Sequence, residues 1–132
     1  METKISKIIM KKILILIFFF NFSNALASEF STNFTKEAFE KAQNSGKTVV
    51  VYSWNKYCTT CAKQKPVLKQ AKKDFEDILF FNIEHVKNKN LVKDLNINFW
   101  STIAVYKNNK QIAHAVGLIN KDQIYSLIKK GI

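Results

Sequence analysis

Two cysteines, Cys58 and Cys61, lie three positions apart and are the only cysteines in the 132-residue chain. Residues 49–52 (Val-Val-Val-Tyr) are β-branched or aromatic and too few for a helix, so they predict a buried strand. From Ala62 to Phe75, apolar residues recur at helical spacing among lysines, which predicts an amphipathic helix with a basic outer face. The pair is therefore expected where a strand ends and a helix begins.

This location favours the thiolate form of a cysteine. The first turn of a helix exposes unpaired backbone N–H groups and the positive end of the helix dipole. Such placement typically lowers a cysteine pKa from about 8.5 to between roughly 3.5 and 7.5. Cys58, the first and outermost of the two, is the predicted nucleophile. Cys61, about one helical turn later, can attack a mixed disulfide formed on Cys58 and release the partner.

Other interpretations of the cysteine pair fit less well. Haem attachment needs a histidine directly after the second cysteine, where this chain has Ala62. A tetrahedral zinc site needs four ligands, but there is one cysteine pair, and His85 and His114 lie 29 residues apart. A purely structural disulfide at this spacing would restrain little of the unfolded chain. Thiol-disulfide exchange is favoured, while a metal-binding or metallochaperone module and a redox-inactive interaction domain stay open.

The segment around the cysteines resembles the active-site segment of the thioredoxin superfamily. The resemblance is carried by residues 54–61 (Trp-Asn-Lys-Tyr-Cys-Thr-Thr-Cys) and by Pro66, five residues after the second cysteine. Three later segments also fit the family's order of elements: residues 80–84, 102–109 and 116–117. The resemblance covers nearly all of the chain after residue 30. It implies an α/β thioredoxin-like fold and a thiol-disulfide oxidoreductase with no cofactor and no resident metal.

The remaining elements predict the same architecture. Residues 28–33 leave room for at most a stub of strand. A helix over residues 34–42 is expected to be capped by Ser31 or Asn33 and to end at Gly46. The other predicted elements are a strand at 78–83, a short helix at 90–95, strands at 102–106 and 111–116 joined by an Asn-Asn turn, and a helix at 120–130. Such alternation describes a central mixed β-sheet with helices on both faces.

The resemblance also implies a groove that receives an extended substrate segment. Its expected lining residues are Tyr57, Ile83, Trp100, Ser101, Val116 and Gly117. The family usually carries a cis-proline at the position of Ser101. A cis bond before a residue other than proline costs about 2.5–4 kcal/mol, so a trans bond between Trp100 and Ser101 is expected. Serine also adds an N–H and a hydroxyl near the sulfurs, which could alter substrate docking or admit a metal shared between two chains.

A second departure lies beneath the cysteines. Family reductases commonly bury a carboxylate six residues before the first cysteine, near a lysine on the next strand, and these positions correspond to Tyr52 and Phe80. Tyrosine is a poor base near neutral pH, so the proton of Cys61 is expected to leave through water or a partner.

Trp54 is expected to support the site. His85, at the cysteine-bearing end of the sheet, could tune a thiolate or be an ordinary loop residue.

The first 27 residues have the organisation of a secretory signal peptide. Four lysines precede an apolar core at residues 13–20, and Ala25-Leu26-Ala27 fits a cleavage signature. This core is shorter than the roughly 20 residues of a spanning helix, which makes an uncleaved membrane anchor the less favoured alternative. Cleavage after Ala27 would leave a single thioredoxin-like domain, residues 28–132. Its expected location is the periplasm or the medium outside the cell, where disulfides persist.

The lysine excess is interpreted as compositional bias with a solvated surface, with attraction to acidic partners or a membrane surface as the alternative. The chain carries 21 basic and 10 acidic residues, a net charge of +11, and every basic residue is lysine. Without residues 1–27 the net charge is +8, with 17 lysines and nine acidic residues. Arginine, which phosphate and base-edge recognition favours, is absent, so no nucleic-acid partner is predicted. The expected partners of this predicted monomer are exported proteins that contain cysteine pairs, together with a membrane electron donor or acceptor.

Overall fold

The computed structural model describes residues 31–132, and the predicted signal peptide lies outside the described residues. In chain order the elements are β1 (Thr32–Asn33), α1 (Lys36–Asn44), β2 (Val49–Trp54), α2 (Thr59–Asp74), β3 (Leu79–Glu84), a 3-10 turn (His85–Lys87), α3 (Lys89–Asp94), β4 (Thr102–Lys107), β5 (Lys110–Val116) and α4 (Lys121–Lys129). None of the helices within this part of the chain has the length and apolar character needed to cross a membrane.

The strands form one sheet in the order β1-β3-β2-β4-β5. Strands β1, β3 and β2 run parallel, whereas β4 pairs antiparallel with both β2 and β5, so the predicted mixed sheet is confirmed. Thr102 pairs with Ser53 on one side and with Val116 on the other. The end of β2, the start of β4 and the end of β5 therefore meet at one edge of the sheet.

Helices cover both faces of the sheet, as predicted. Alternate residues of a strand point to opposite faces. One face packs against α2 and α4 through a cluster that includes Val50, Tyr52, Phe80, Leu68 and Ile124. The other face packs against α1 and α3 through a cluster that includes Val51, Phe81, Ile83, Ala42 and Val92. Complete burial of an aliphatic side chain such as Val50 contributes about 1.5–3 kcal/mol, so β2, apolar on both faces, is the centre of the core.

Helix α1 begins later than the sequence suggested. Its N-cap is Thr35, whose hydroxyl accepts the N–H of Ala38 at 3.2 Å. The predicted caps, Ser31 and Asn33, are wrong because Asn33 pairs with β3 in the sheet, so the helix can start only after that strand ends. The predicted end is confirmed, since Gly46 adopts a left-handed φ of 73° and donates its N–H to the carbonyl of Gln43.

The hairpin between β4 and β5 turns at the predicted residues. Asn108 and Asn109 both have positive φ angles, 52° and 61°, as a two-residue turn of the primed type requires. The N–H of Asn109 donates to Oε1 of Gln43, which fixes the turn against α1. At the same end of the sheet, the carbonyl of Gly131 accepts hydrogen bonds from the Thr48 hydroxyl and from Nζ of Lys107.

Candidate active site

The two cysteines form a disulfide at the start of α2, with their Cα atoms 5.2 Å apart. Cys58 is the N-cap of the helix, and its Sγ accepts the backbone N–H of Cys61 at 3.0 Å. The helix starts at Thr59, three residues before the apolar pattern suggested, because this sulfur supplies the cap. The prediction that the pair lies between a strand and a helix is confirmed. The first turn contains no acidic residue, so the partial positive charge there is not offset within it.

The two sulfur-bearing residues differ in exposure. Cys61 is only 4% exposed and packs in the core with Tyr52 and Leu68, whereas Cys58 is half-buried at the surface. An external thiol or disulfide therefore reaches Cys58 first. Cys61, held one turn further on, is placed to act on a bond that Cys58 has already formed.

A buried tyrosine lies beneath the pair. The Tyr52 hydroxyl donates to the carbonyl of Cys61 at 2.9 Å, and Phe80 belongs to the same apolar cluster. Burial raises the pKa of Tyr52 well above its ordinary value of 10.0. The hydroxyl stays protonated near neutral pH, so Tyr52 positions the backbone of the second cysteine as a donor and does not serve as a base.

The segment that faces the predicted groove contains no cis bond. No peptide bond in residues 31–132 is cis, which confirms the expected trans bond between Trp100 and Ser101. Ser101 is buried and has a left-handed φ of 58°. Its carbonyl accepts two hydrogen bonds, one from the N–H of Gly117 and one from Nε2 of Gln64, each at 3.0 Å. These bonds join the Ser101 segment to the end of β5 and to the cysteine-bearing helix.

Gln64 is a site residue that the sequence analysis missed. Its side chain is fully buried, and Nε2 donates to the carbonyls of both Ser101 and Leu118, at 3.0 Å and 2.9 Å. Its Oε1 has no hydrogen-bond partner among residues 31–132. Its position in the sequence could have identified it. Gln64 lies on the same buried face of α2 as Cys61 and Leu68, where a polar residue is unexpected.

The six predicted groove residues lie in three different places. Trp100, Val116 and Gly117 are exposed and are brought together by the β4–β5 pairing, with Ser101 buried between them. Tyr57, just before the disulfide, is 81% exposed. Ile83 is only 2% exposed, because alternation along β3 turns it into the core beside α1 and α3, so it presents no surface to a substrate.

His85 lies beside Trp100 and contacts the sheet. Its Nδ1 is 2.8 Å from the hydroxyl of Ser53, and its ring meets that of Trp100 edge-on at 6.1 Å between centroids. Burial lowers the pKa of His85, which favours the neutral ring. The residue thus supports Trp100. The other histidine, His114, is exposed on β5.

A cleft of about 890 Å³ adjoins the disulfide, and none of the predicted groove residues lines it. It is lined by both cysteines, by Tyr52 and Trp54, by the amides of Asn33, Asn55 and Asn82, and by Lys56, Lys65 and Lys69. Nε1 of Trp54 donates to Oδ1 of Asn82 at 3.1 Å. Trp54 thus supports the site through a side-chain hydrogen bond that joins β2 to β3.

The geometry does not favour the metal-binding interpretation. Within residues 31–132, no three histidine, cysteine, aspartate or glutamate side chains come together as a metal site would need. The two cysteines by themselves would supply half of a tetrahedral ligand set.

Comparison with known proteins agrees with this geometry. A family model described as Thioredoxin matches residues 30–130. A thioredoxin from Rickettsia bellii is 27% identical over 106 residues, covering 77% of this chain and 99% of the relative. Among solved structures, Trxlp from Edwardsiella tarda has a TM-score of 0.70 at 20% identity, over 74% of this chain and 97% of that one. Oxidised mitochondrial thioredoxin 3 from Saccharomyces cerevisiae has a TM-score of 0.67 at 18% identity, over 77% and 98%.

The family match spans most of the chain and includes the cysteine pair, the sheet and the four helices described above. The predicted thioredoxin fold is confirmed. This chain therefore belongs to the thioredoxin family, as a thiol-disulfide oxidoreductase with a Cys58–Cys61 pair.

Proposed function

We propose that this protein is exported and exchanges disulfides with cysteine pairs of other exported proteins. The observation that carries the proposal is the position of the disulfide: Cys58 caps α2 at the surface, while Cys61 lies buried one turn behind it. This asymmetry supports a mechanism in which the outer sulfur meets the partner and the inner sulfur releases it.

In the reducing direction, exchange takes two steps. The Cys58 thiolate attacks one sulfur of the substrate disulfide, forming a mixed disulfide, and the other substrate sulfur leaves as a thiolate. Cys61 then loses its proton and attacks Sγ of Cys58, which releases the second substrate thiolate and closes the Cys58–Cys61 disulfide. Two electrons pass to the substrate, and oxidation of a substrate dithiol is the same sequence reversed. Because the Tyr52 hydroxyl stays protonated, the proton of Cys61 leaves to water or to the partner.

The substrate segment next to the reacting cysteine docks along Trp100, Ser101, Val116 and Gly117, with Tyr57 at the rim. Support comes from the exposed apolar surface of Trp100, Val116 and Tyr57. The hydrogen bonds that hold the Ser101 carbonyl keep this segment in one conformation.

Export rests on the signal-peptide pattern of residues 1–27, and the expected destination is the periplasm or the medium. Mass spectrometry of the protein recovered from cell fractions tests this part. A mature N-terminus at Ser28 in an exported fraction is the expected result. Full-length protein retained in the cytoplasm would overturn export without touching the exchange chemistry.

Two cysteine variants test the exchange mechanism. Cys58→Ser should abolish exchange, because the remaining sulfur, that of Cys61, is buried and does not reach an external disulfide. Cys61→Ser should accumulate mixed disulfides with partner proteins, which non-reducing electrophoresis detects as thiol-sensitive adducts. Wild-type turnover by Cys58→Ser would refute the mechanism. The double variant Cys58→Ser, Cys61→Ser, which has no cysteine, is the control and should form no adducts.

A further inference from the structure

His85 connects two parts of the structure at the cysteine-bearing end of the sheet. It is the first residue of the 3-10 turn that follows β3. Its Nδ1 lies 2.8 Å from the hydroxyl of Ser53, a fully buried residue near the end of β2. Its ring meets that of Trp100 edge-on, with 6.1 Å between the centroids. The imidazole therefore joins a buried point of the sheet to a residue of the proposed docking surface.

Trp100 depends on such a contact for its orientation. The residue is 48% exposed, so packing restrains the indole on only part of its surface. The hydrogen bonds of the Ser101 carbonyl fix the backbone next to it, but they do not fix the side chain. Aromatic rings in edge-to-face contact attract each other beyond the area that they bury. The ring of His85 thus favours one orientation of the indole over those that would break this contact.

The charge of His85 decides how its ring is held. A neutral imidazole has one donor and one acceptor nitrogen, and the Ser53 hydroxyl can pair with Nδ1 in either role. A protonated ring has two donors and a positive charge, which a half-buried position disfavours. Burial accordingly lowers the pKa of His85. In acid the charged ring gains free energy by turning toward water, and that movement separates it from Trp100.

The charged groups near His85 lie on its own turn and on the neighbouring helix. The Glu84 carboxylate pairs with Nζ of Lys87 at 2.6 Å. From β2 and from the segment before β4 the ring meets a hydroxyl and an indole, neither of which titrates near neutral pH. The Cys58 sulfur, at the start of α2, carries no charge in the disulfide. In the oxidised protein, the protonation of His85 is therefore the event expected to change its contact with Trp100.

We propose that His85 is a positioning residue that holds Trp100 for substrate docking while its ring is neutral and releases Trp100 when the ring is protonated. Docking is then weaker in acid. The proposal rests on the exchange function proposed above and adds a control by pH to the same site. It concerns docking and not the attack by Cys58, so a disulfide too small to reach Trp100 should be insensitive to His85.

The indole N–H resonances of the oxidised full-length protein test the contact directly. The chain has two tryptophans, so the substitution Trp100→Phe assigns both signals. Between about pH 7.5 and pH 5, the Trp100 signal should shift with the same midpoint as the ring protons of His85, below 6.5. The shift should be absent in His85→Asn and should remain in the control His114→Asn. A Trp100 signal that does not follow the titration of His85 would overturn the proposal.

Exchange kinetics measure the effect on docking. The reduced protein receives either of two substrates. One is a blocked peptide disulfide with apolar residues beside the cysteine and no ionisable side chain, and the other is bis(2-hydroxyethyl) disulfide, which is too small to span the docking surface. Both react with the Cys58 thiolate, so the ratio of their kcat/KM values cancels its titration. From about pH 7.5 to pH 5.5 this ratio should fall about threefold or more, the order of one aromatic contact.

Two variants of His85 separate the ring from the charge. His85→Phe keeps an aromatic ring that cannot be charged, so the ratio should stay within about twofold of the parent's value at neutral pH. His85→Asn keeps a hydrogen-bonding group for Ser53 but loses the ring, so the ratio should be low at every pH. His114→Asn, at an exposed position of β5, should behave like the parent protein. A pH dependence retained in His85→Phe would assign the effect to another group and overturn the proposal.

The outcomes separate this inference from the proposed function. A ratio that stays constant or rises in acid, with both disulfides reduced, would overturn the role of His85 and leave exchange intact. Failure to reduce either disulfide would overturn the exchange function and the docking inference with it. Where His85→Phe folds poorly, the titration of the Trp100 signal in the parent protein decides the question.

Discussion

Gln64 offers a quantitative test of how the site is held together. The substitution Gln64→Leu keeps a side chain of similar size on the inner stripe of α2 but removes the amide. The carbonyls of Ser101 and Leu118 each lose the donor that Nε2 supplies. Ser101 retains the N–H of Gly117 as a partner. The variant therefore detaches α2 from two segments without opening a large cavity.

The expected cost is the balance of three contributions. The Leu118 carbonyl is left without the donor that Nε2 supplies, which costs about 1–3 kcal/mol for a buried acceptor, and the Ser101 carbonyl loses one of its two hydrogen bonds, worth about 0.5–1.5 kcal/mol net. Removing Oε1, which is buried without a partner among residues 31–132, recovers about 1–3 kcal/mol, so it offsets the cost at Leu118. The net destabilisation should therefore be about 1 kcal/mol, the value of the bond lost at Ser101. Gln64→Ala, which also leaves a cavity, should cost more, about 3–5 kcal/mol by analogy with other large-to-small core changes.

Urea unfolding of the oxidised protein measures these differences. Gln70→Leu is the matched control, because Gln70 lies on the same helix but is exposed, and it should stay within about 0.5 kcal/mol of the parent protein. Exchange kinetics supply a second measurement: Gln64→Leu should raise KM more than it lowers kcat, since the loosened segment is the one proposed to dock the substrate. A Gln64→Leu variant as stable as the parent, with unchanged KM, would refute the reasoning.

Two further predictions concern stability. Burial lowers the pKa of folded His85 below 6.5, so the unfolded chain binds more protons and stability should fall as pH drops from about 7 through 6.5. His85→Asn should flatten this region of the curve, and identical slopes for both proteins would contradict the assignment. A Cβ added at Gly131 would collide with Thr48 and lie 2.9 Å from Val105, so Gly131→Ala should destabilise by about 1–3 kcal/mol. The exposed neighbour change Lys130→Ala should not, and equal unfolding midpoints for the two would count against the packing argument.

The sequence predicted the elements whose signals are local. The apolar run of β2, the helical spacing after Cys61 and the Asn-Asn turn depend on neighbours in the chain, and all three were confirmed. The cap at Thr35 was missed because the pairing of Asn33 with β3 depends on residues almost 50 positions away. The start of α1 is therefore set by strand pairing in the folded protein and not by the local capping preference of Ser31 or Asn33.

The site was predicted less completely than the fold. The cysteine pair carries a spacing signal, but the bonds of Gln64 join three segments that only the folded topology brings together. Ile83 is buried because α1 and α3 cover the face of the sheet to which it points, and the sequence of β3 alone does not indicate that covering. Likewise, the cleft is formed by residues from β1, β3 and α2 that no local pattern connects.

The hydrogen bond from the N–H of Cys61 to Sγ of Cys58 links two equilibria of the protein. Reduction converts this acceptor sulfur into one that can carry charge, and a charge-assisted bond is stronger than a neutral one. In a thermodynamic cycle, whatever stabilises the folded dithiol over the folded disulfide by about 1.4 kcal/mol raises the reduction potential by about 30 mV. The helix cap therefore also contributes to the reduction potential of the cysteine pair. Substitutions in the first turn of α2 should change the free energy of unfolding and the reduction potential together.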